Sequence, residues 1–102
     1  MKKFEVVYCD DIEAYFDDLG LYLSELTSSS FALHYLQRLR EEVEVLSYLA
    51  PMLPQSKYEL PKRYHPEAKT HVIGNKKLTV IFHIDGDYVI VDKILPSMLI
   101  TY

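Results

Sequence analysis

The alternation of apolar and polar residues is clearest in the last third of the chain. In residues 78–84 apolar side chains occupy every second position, a period that is typical of a β-strand. An Asp-Gly pair at residues 85–86 follows at once and supplies a two-residue hairpin turn into a second strand over residues 88–95. Upstream, the Gly-Asn pair at residues 74–75 turns the short β-branched stretch 70–73 into the first of these strands. The pattern predicts a three-stranded antiparallel meander.

Two stretches before the meander have the spacing of amphipathic helices. The first begins at Asp10, which together with Glu13 has the spacing of a capping box, and it continues to Leu26. The second follows the hydroxyl-rich residues 27–30 and carries one continuous apolar stripe that Pro51 ends. Because the connection is so short, the two helices are predicted to form an antiparallel hairpin.

A further strand is predicted near the start of the sequence. Residues 3–9 place Phe4, Val6 and Tyr8 on one face, which suits a short strand that joins the same sheet. The predicted fold is therefore α+β: an N-terminal strand, an antiparallel helical hairpin, and a three-stranded antiparallel meander that completes one small sheet. Residues 1–102 are expected to form one domain, because this length and a hydrophobic content of 49% suit a single core.

The composition excludes several classes of protein. No apolar run has the length of a membrane span, and Glu5 breaks the N-terminal apolar run, so no export signal is predicted. The single cysteine, Cys9, cannot form an intramolecular disulfide, which favours a cytoplasmic location. The sequence has no Cys and His pairs with the spacing of zinc ligands. We therefore expect no metal and no cofactor.

The charge is unevenly distributed. Between Lys57 and Lys77 the chain has six basic and two acidic residues, a balance of +4, whereas the rest of the chain carries −8. The overall charge of −4 argues against a protein whose whole surface binds nucleic acid. Neither helix has the basic face of a helix that reads a DNA groove. The sequence predicts a molecule with one basic and one acidic end.

The order of these elements resembles a known family. The likeness is carried by the helical pair YFDDLGLYLSEL and FALHYLQRLREEVEVLSYL, the proline-bearing loop after it, and the paired strands LTVIFHIDGDYVIVDKIL with their acidic turn. Over nearly the whole chain, the sequence resembles the RelE/ParE superfamily of toxins from bacterial type II toxin-antitoxin systems, which includes plasmid stabilisation proteins. The resemblance implies a compact α+β toxin that is neutralised by a cognate antitoxin encoded beside it.

The resemblance leaves two cellular targets open. RelE-like members cut mRNA on the ribosome with basic residues, whereas ParE-like members lack that set and act on DNA gyrase. At the strand position where RelE-like toxins carry an arginine this chain has Thr79, and residues 96–99 replace the basic residues that follow the last strand. Lys62, Arg63 and the terminal Tyr102 are what remains of the RelE-like set. These departures weaken a nuclease assignment without removing it.

A candidate catalytic set lies on the central strand of the meander and in the basic loop before it. RNA cleavage without a metal needs a base for the 2′-hydroxyl proton, cations for the phosphate and an acid for the leaving oxygen. We predict His83, on the polar face of its strand, together with Lys62 and Arg63 as the catalytic candidates. The simpler interpretation is that His83 is a partly exposed strand residue and that the basic loop is solvated surface.

The basic stretch is also a candidate docking surface. Charge of one sign on one face speeds encounter with an acidic partner or a phosphate backbone, and tyrosines flanked by basic residues can stack on bases. Ordinary solubility is the competing explanation. The predicted residues for binding a partner or nucleic acid are Lys57, Tyr58, Tyr64, His65, Lys69, His71, Lys76 and Lys77.

Two functional hypotheses follow from the sequence. In the first, the chain is a toxin that a cognate antitoxin neutralises and that stops growth through DNA gyrase or through mRNA on the ribosome. In the second, the chain is a non-toxic interaction module of the same fold that acts only through its protein partner. Growth arrest on induction of the protein alone separates the two.

Overall fold

The sheet has four strands, and the predicted meander forms three of them. The computed structural model describes residues 3–100, and its strands are β1 (Glu5–Tyr8), β2 (Lys69–Ile73), β3 (Leu78–Asp85) and β4 (Tyr88–Pro96). Their order across the sheet is β1-β4-β3-β2. β3 pairs antiparallel with both β2 and β4, and β1 lies parallel to β4 at the edge. The α+β fold predicted from the sequence is confirmed.

β3 is buried on both of its faces. Val80 and Phe82 point into the core under the helices and are fully buried. Ile81, which points the other way, is buried just as completely. The opposite face is therefore covered as well, by the chain segment between the helices and β2.

The hairpin between β3 and β4 lies one residue further along than predicted. Asp85 pairs with Tyr88, so the two turn residues are Gly86 and Asp87 rather than Asp85 and Gly86. Gly86 has a φ of +60°, and Asp87 lies outside the left-handed region, which is the pattern of a type II′ turn. The glycine is needed at the first turn position, not the second.

The turn between β2 and β3 is longer than a Gly-Asn pair. Ile73 pairs with Leu78, so the four residues between them form the turn. Gly74, Asn75 and Lys76 have φ angles of +61°, +55° and +69°. Lys76 adopts this conformation at a cost, because its Cβ crowds the backbone there.

The first helix, α1 (Asp10–Leu26), does not begin with the predicted capping box. The N-cap is Cys9, and its backbone carbonyl accepts the N–H groups of Ile12 and Glu13 at 2.9 and 3.3 Å. Asp10 already belongs to the first helical turn, where its negative charge interacts favourably with the positive end of the helix dipole. The capping box at Asp10 and Glu13 is therefore wrong, although the helix begins and ends where the apolar spacing predicted.

The second helix, α2 (Ser29–Glu44), packs on α1 as a hairpin, as predicted. Ser28 caps it, since its hydroxyl oxygen accepts the Phe31 N–H at 3.1 Å. Gly20 of α1 lies at a close approach of the two helices, because a Cβ at this position would sit 2.7 Å from Leu36 Cδ1. The residue that weakens the intrinsic helix propensity of α1 is thus the one that makes room for Leu36.

The chain bends at Val45, where the sequence predicted one continuous helix. A one-turn helix, α3 (Leu46–Leu49), and a 3₁₀ turn (Ala50–Met52) follow the bend. Ser47 is buried here, and its carbonyl accepts the Phe4 N–H at 2.6 Å. The predicted single long helix is wrong, since α2 ends at Glu44 and the chain continues as two short helical turns, the first of which is bonded to the start of the sheet.

The core lies between the helices and one face of the sheet. Phe16 from α1, Leu39 from α2 and Phe82 from β3 are among its largest fully buried side chains. The predicted apolar stripes extend past this core at the tip of the hairpin, where Leu26 is 63% and Phe31 51% exposed. The last turn of α1 and the first turn of α2 therefore project beyond the sheet.

The proline-bearing loop predicted after the helices contains a further short helix, α4 (Glu59–Lys62). Pro61 within it is buried. The Ser56 N–H donates to the Ala68 carbonyl at 2.8 Å, which closes the base of the loop next to β2. We call residues 55–68 the cover segment, because it lies on the face of the sheet opposite the helical hairpin.

Candidate functional site

The candidate site is built on a β-bulge in the middle of the sheet. The register between β3 and β4 shifts between Ile81 and Phe82, and Asp92 is the extra residue on β4. A bulge re-aims the side chains around it. Here it brings Asp92 beside His83, on the face of the sheet that the helical hairpin does not cover.

His83 and Asp92 form a close pair. The His83 Nδ1 lies 2.7 Å from Asp92 Oδ2, and the two side chains are only 14% and 15% exposed. With Asp92 ionised, the His83 Nδ1–H donates to the carboxylate, so the Nε2 of the neutral ring is left as an acceptor. A carboxylate that fixes the imidazole tautomer in this way is the usual support of a histidine general base.

His65, from the cover segment, lies flat on His83. The two rings are stacked with centroids 3.8 Å apart and planes within 4° of parallel. The Nδ1 of His65 accepts the Glu67 N–H at 3.0 Å, which requires an unprotonated Nδ1 and leaves the proton of the neutral ring on Nε2. The site therefore contains two imidazoles, one oriented by a backbone donor and the other by a carboxylate.

The cover segment brings the other two predicted catalytic residues to the same region. Lys62 ends α4 and Arg63 follows it, and both are exposed. They lie three and two residues before His65, whose ring contacts His83. The two cations are therefore close to His65 in sequence, and among the described residues neither forms a hydrogen bond or an ion pair with His83.

Besides His65, three predicted binding residues lie on the cover segment. Lys57 Nζ is 5.8 Å from the centroid of the Tyr58 ring, and Tyr58 and Tyr64 are both exposed. A hollow of about 370 Å³ beside them is lined by Pro54, Gln55, Ser56, Lys57, Tyr58 and Thr70. Exposed aromatic rings beside basic side chains can contact bases or a protein partner.

Lys69 and His71 lie on the other side of the sheet. Lys69 Nζ donates to the Ala50 carbonyl at 3.0 Å, so it supports the helical layer. His71 pairs with the core residue Val80 and is half-buried, and this burial lowers its pKa. The sheet separates these two residues from His83, so they do not belong to one surface with the cover segment.

Lys76 and Lys77 lie in the turn at the far end of β3. A hollow of about 360 Å³ beside them is lined by Lys76, Lys77, Pro96, Ser97 and Met98. Lys77 precedes His83 by six residues along an extended strand, a distance of about 20 Å. The two lysines therefore form a separate basic tip.

Asp92 is the residue that sequence reasoning missed. On an unbulged ladder its position gives no reason to expect contact with His83, because β-strand register is read from simple alternation. No residue pattern in the sequence indicates the bulge, and His65 and His83, whose rings stack, belong to different elements. A single sequence holds no signal that would have found either contact.

A second charged cluster joins the helices away from the site. The Arg40 guanidinium of α2 donates to both carboxylate oxygens of Glu13 of α1, at 3.3 and 3.0 Å. It also lies 4.4 Å from the centroid of the Phe16 ring. The hydrogen bond with Arg40 lowers the pKa of Glu13, and the same bond raises the pKa of Arg40. Because Arg40 contacts Glu13 and Phe16 of the neighbouring helix, we infer that this cluster stabilises the packing of α1 on α2.

Across residues 3–100 we find no group of three or more His, Cys, Asp or Glu side chains placed to hold a metal ion. The helices in that same part of the chain are all too short or too polar to cross a membrane.

The fold has a relative among solved structures. No protein-family model and no curated protein sequence matches the chain. A chain of the structure described as the chromosomal ParDE TA system from P. aeruginosa is similar, with a TM-score of 0.77 and 17% sequence identity, over 94% of this chain and 98% of that chain. The chain has a RelE/ParE-like fold. At this identity the likeness concerns the arrangement of the backbone, and it confirms the fold that the sequence resemblance implied.

Proposed function

We propose that the chain is the toxin subunit of a bacterial type II toxin-antitoxin module. The observation that carries the proposal is the RelE/ParE-like backbone, shared over 94% of the chain with a structure described as a ParDE TA system. The proposed partner is a cognate antitoxin, and the proposed effect is growth inhibition. The rival is a non-toxic interaction module of the same fold.

Induction of the protein alone in a bacterial host tests the proposal. A toxin stops growth, and coexpression of the small protein encoded beside it restores growth and copurifies with it. A matched control is Val80→Asp, which places a charge at a fully buried position and unfolds the chain. Undiminished growth with soluble, folded wild-type protein would refute toxicity and favour the interaction module.

DNA gyrase is the target that the residues favour. At the position of the RelE-like arginine, Thr79 is buried and its hydroxyl is hydrogen-bonded to Ser97 Oγ at 2.8 Å. The 3₁₀ turn Ser97–Leu99 carries no basic side chain, and Tyr102 lies outside the described residues. A supercoiling assay with purified gyrase is expected to show inhibition, and primer extension on total mRNA to show few new ends. The reverse result would identify mRNA as the target.

A second candidate function is metal-independent cleavage of mRNA, and the pair of His83 and Asp92 favours it. In this mechanism His83 Nε2 takes the 2′-hydroxyl proton as that oxygen attacks phosphorus, and Lys62 and Arg63 offset the negative charge of the phosphorane. The 5′-oxygen leaves with a proton from an acid. If the mechanism operates, His83→Ala should lower cleavage by about 10²–10⁴-fold. The matched control, His34→Ala at an exposed position of α2, should cleave like the wild type.

The open edge of the sheet is the proposed site for part of the antitoxin. β1 is an outer strand, and beside it lies a groove of about 780 Å³ between the strand and α2, bordered by Lys3, Glu5, Glu41 and Tyr48 among others. An edge strand can accept an added strand, and the apolar side chains at the hairpin tip can accept a helix. Hydrogen exchange of the complex tests this, since protection of β1 or of the tip over the free protein identifies the surface used.

A further inference from the structure

We propose that His65 is a proton-sensitive latch that holds the cover segment closed over His83 and Asp92. The inference goes beyond the proposed function, because it concerns how access to the site is controlled and holds whether or not the chain is toxic. It rests on the stacked imidazoles, on the hydrogen bond that fixes His65, and on the way the cover segment is attached to the sheet.

The hydrogen bond of His65 requires the neutral ring. Its Nδ1 accepts the Glu67 N–H at 3.0 Å. A protonated imidazole has an N–H at both nitrogens, so a proton on Nδ1 would face the backbone N–H with no acceptor between them. Protonation therefore replaces the hydrogen bond with a repulsive contact, and it does so in the pH range in which histidine changes charge.

The stack with His83 also accommodates one proton but not two. The Oδ2 of Asp92 is 2.7 Å from His83 Nδ1, so this carboxylate supports a positive charge on His83. A second imidazolium at a centroid distance of 3.8 Å would then face a like charge in a largely buried site. Two protonated rings in this stack would therefore repel each other.

Among residues 3–100 no carboxylate forms an ion pair with the His65 ring. The cover segment carries charges of both signs near His65, from Lys62 and Arg63 and from Glu59 and Glu67. Lys93 on β4 is directed toward Asp11, with Nζ to Oδ2 at 3.9 Å. His71 lies on the opposite face of the sheet, and the nearest carboxylate on β4, that of Asp92, is already bound to His83.

The cover segment can open without disturbing the sheet. Its base is closed by the hydrogen bond from the Ser56 N–H to the Ala68 carbonyl at 2.8 Å, and both of these residues are buried. α4 and His65 lie between these two points, so they can lift while β2 keeps its pairing with β3. The buried ring of Pro61 opposes opening, and loss of the His65 contacts favours it. Release of the latch uncovers one face of the His83 ring.

Hydrogen exchange at pH 7.5 and 5.5, corrected for the intrinsic exchange rates, tests the latch. We expect protection of the amides in residues 59–67 to fall about tenfold or more at the lower pH, with little change in β3. His65→Phe keeps a flat ring but cannot take a proton, so this pH response should be lost. The matched control, His34→Phe, removes a histidine from an exposed position of α2 and should keep the response.

Either of two exchange results would overturn the proposal. One is equal protection of residues 59–67 at both pH values in the wild type, and the other is an undiminished pH response in His65→Phe. If that variant does not fold, His65→Gln replaces it, because the amide oxygen can accept the Glu67 N–H without ever carrying a charge. Nitrogen NMR provides a second measurement, because it detects protonation of the His65 ring directly. Protonation of His65 without a change in the amide protection of residues 59–67 would also contradict the proposal.

Discussion

Replacement of Gly20 by alanine sets helix propensity against packing. In a helix interior the change stabilises by about 1 kcal/mol. At this position, however, the new Cβ would lie 2.7 Å from Leu36 Cδ1, far inside the normal separation of two carbon atoms. The clashing atom is the end of the partly buried Leu36 side chain, which can turn away at a cost of about 0.5–1.5 kcal/mol. The two effects therefore nearly cancel, and we expect Gly20→Ala to change the free energy of unfolding of the wild type by less than about 0.5 kcal/mol.

Leu36→Ala removes the clashing atom and isolates the two effects. In that background Gly20→Ala should raise the free energy of unfolding by about 1 kcal/mol, so the double-mutant cycle should give a coupling of about 1 kcal/mol. Urea denaturation of the four proteins, followed by circular dichroism, measures each value. Ser24→Ala, one turn further along α1, serves as the control and should have the same effect in both backgrounds. The reasoning fails if Gly20→Ala stabilises the wild type as much as it stabilises the Leu36→Ala protein.

Three further predictions concern the rest of the fold. Arg40→Lys loses the two-pronged bond to Glu13 and should cost about 0.5–1 kcal/mol in urea denaturation, whereas Arg38→Lys on the exposed side of the same helix should cost nothing measurable. Gly86→Ala should cost about 1–2 kcal/mol, because alanine is strained at a φ of +60°, and an unchanged urea midpoint would contradict the turn geometry. Because burial lowers the pKa of His71, the unfolded chain takes up its proton first. Its contribution to stability should therefore be complete above pH 6.5 and should be lost as the pH falls through that value. His71→Gln should flatten the dependence of the urea midpoint on pH between 7 and 5, and an identical slope in both proteins would contradict this.

The sequence was sufficient where one local signal decides the structure. Alternation over β3 placed Val80 and Phe82 in the core because a strand has a fixed period of two. Apolar spacing gave the end of α1 at Leu26, and Ser28, one of the hydroxyl-rich residues 27–30, caps α2. These features could be predicted without knowing which distant residues they contact in the folded chain.

The errors arose where distant parts of the chain compete with a local signal. Asp10 has the chemistry of a cap, but it lies inside the first turn of α1, and the N-cap residue, Cys9, makes no side-chain hydrogen bond to the helix. The helix after Ser28 was predicted too long, because the bond between Phe4 and Ser47 is not visible in either segment alone. The candidate site was predicted only in part for the same reason, since the partner of His83 depends on a bulge.

The parallel pairing of β1 with β4 also constrains how the protein is made. Glu5 pairs with Tyr88 and Tyr8 with Val91, so each contact joins positions 83 residues apart. β1 leaves the ribosome well before β4, so its pairing edge stays unsatisfied until β4 has been synthesised. A nascent chain interrupted before the hairpin of β3 and β4 cannot complete the sheet. The four-stranded sheet therefore forms only after residue 96 has been translated.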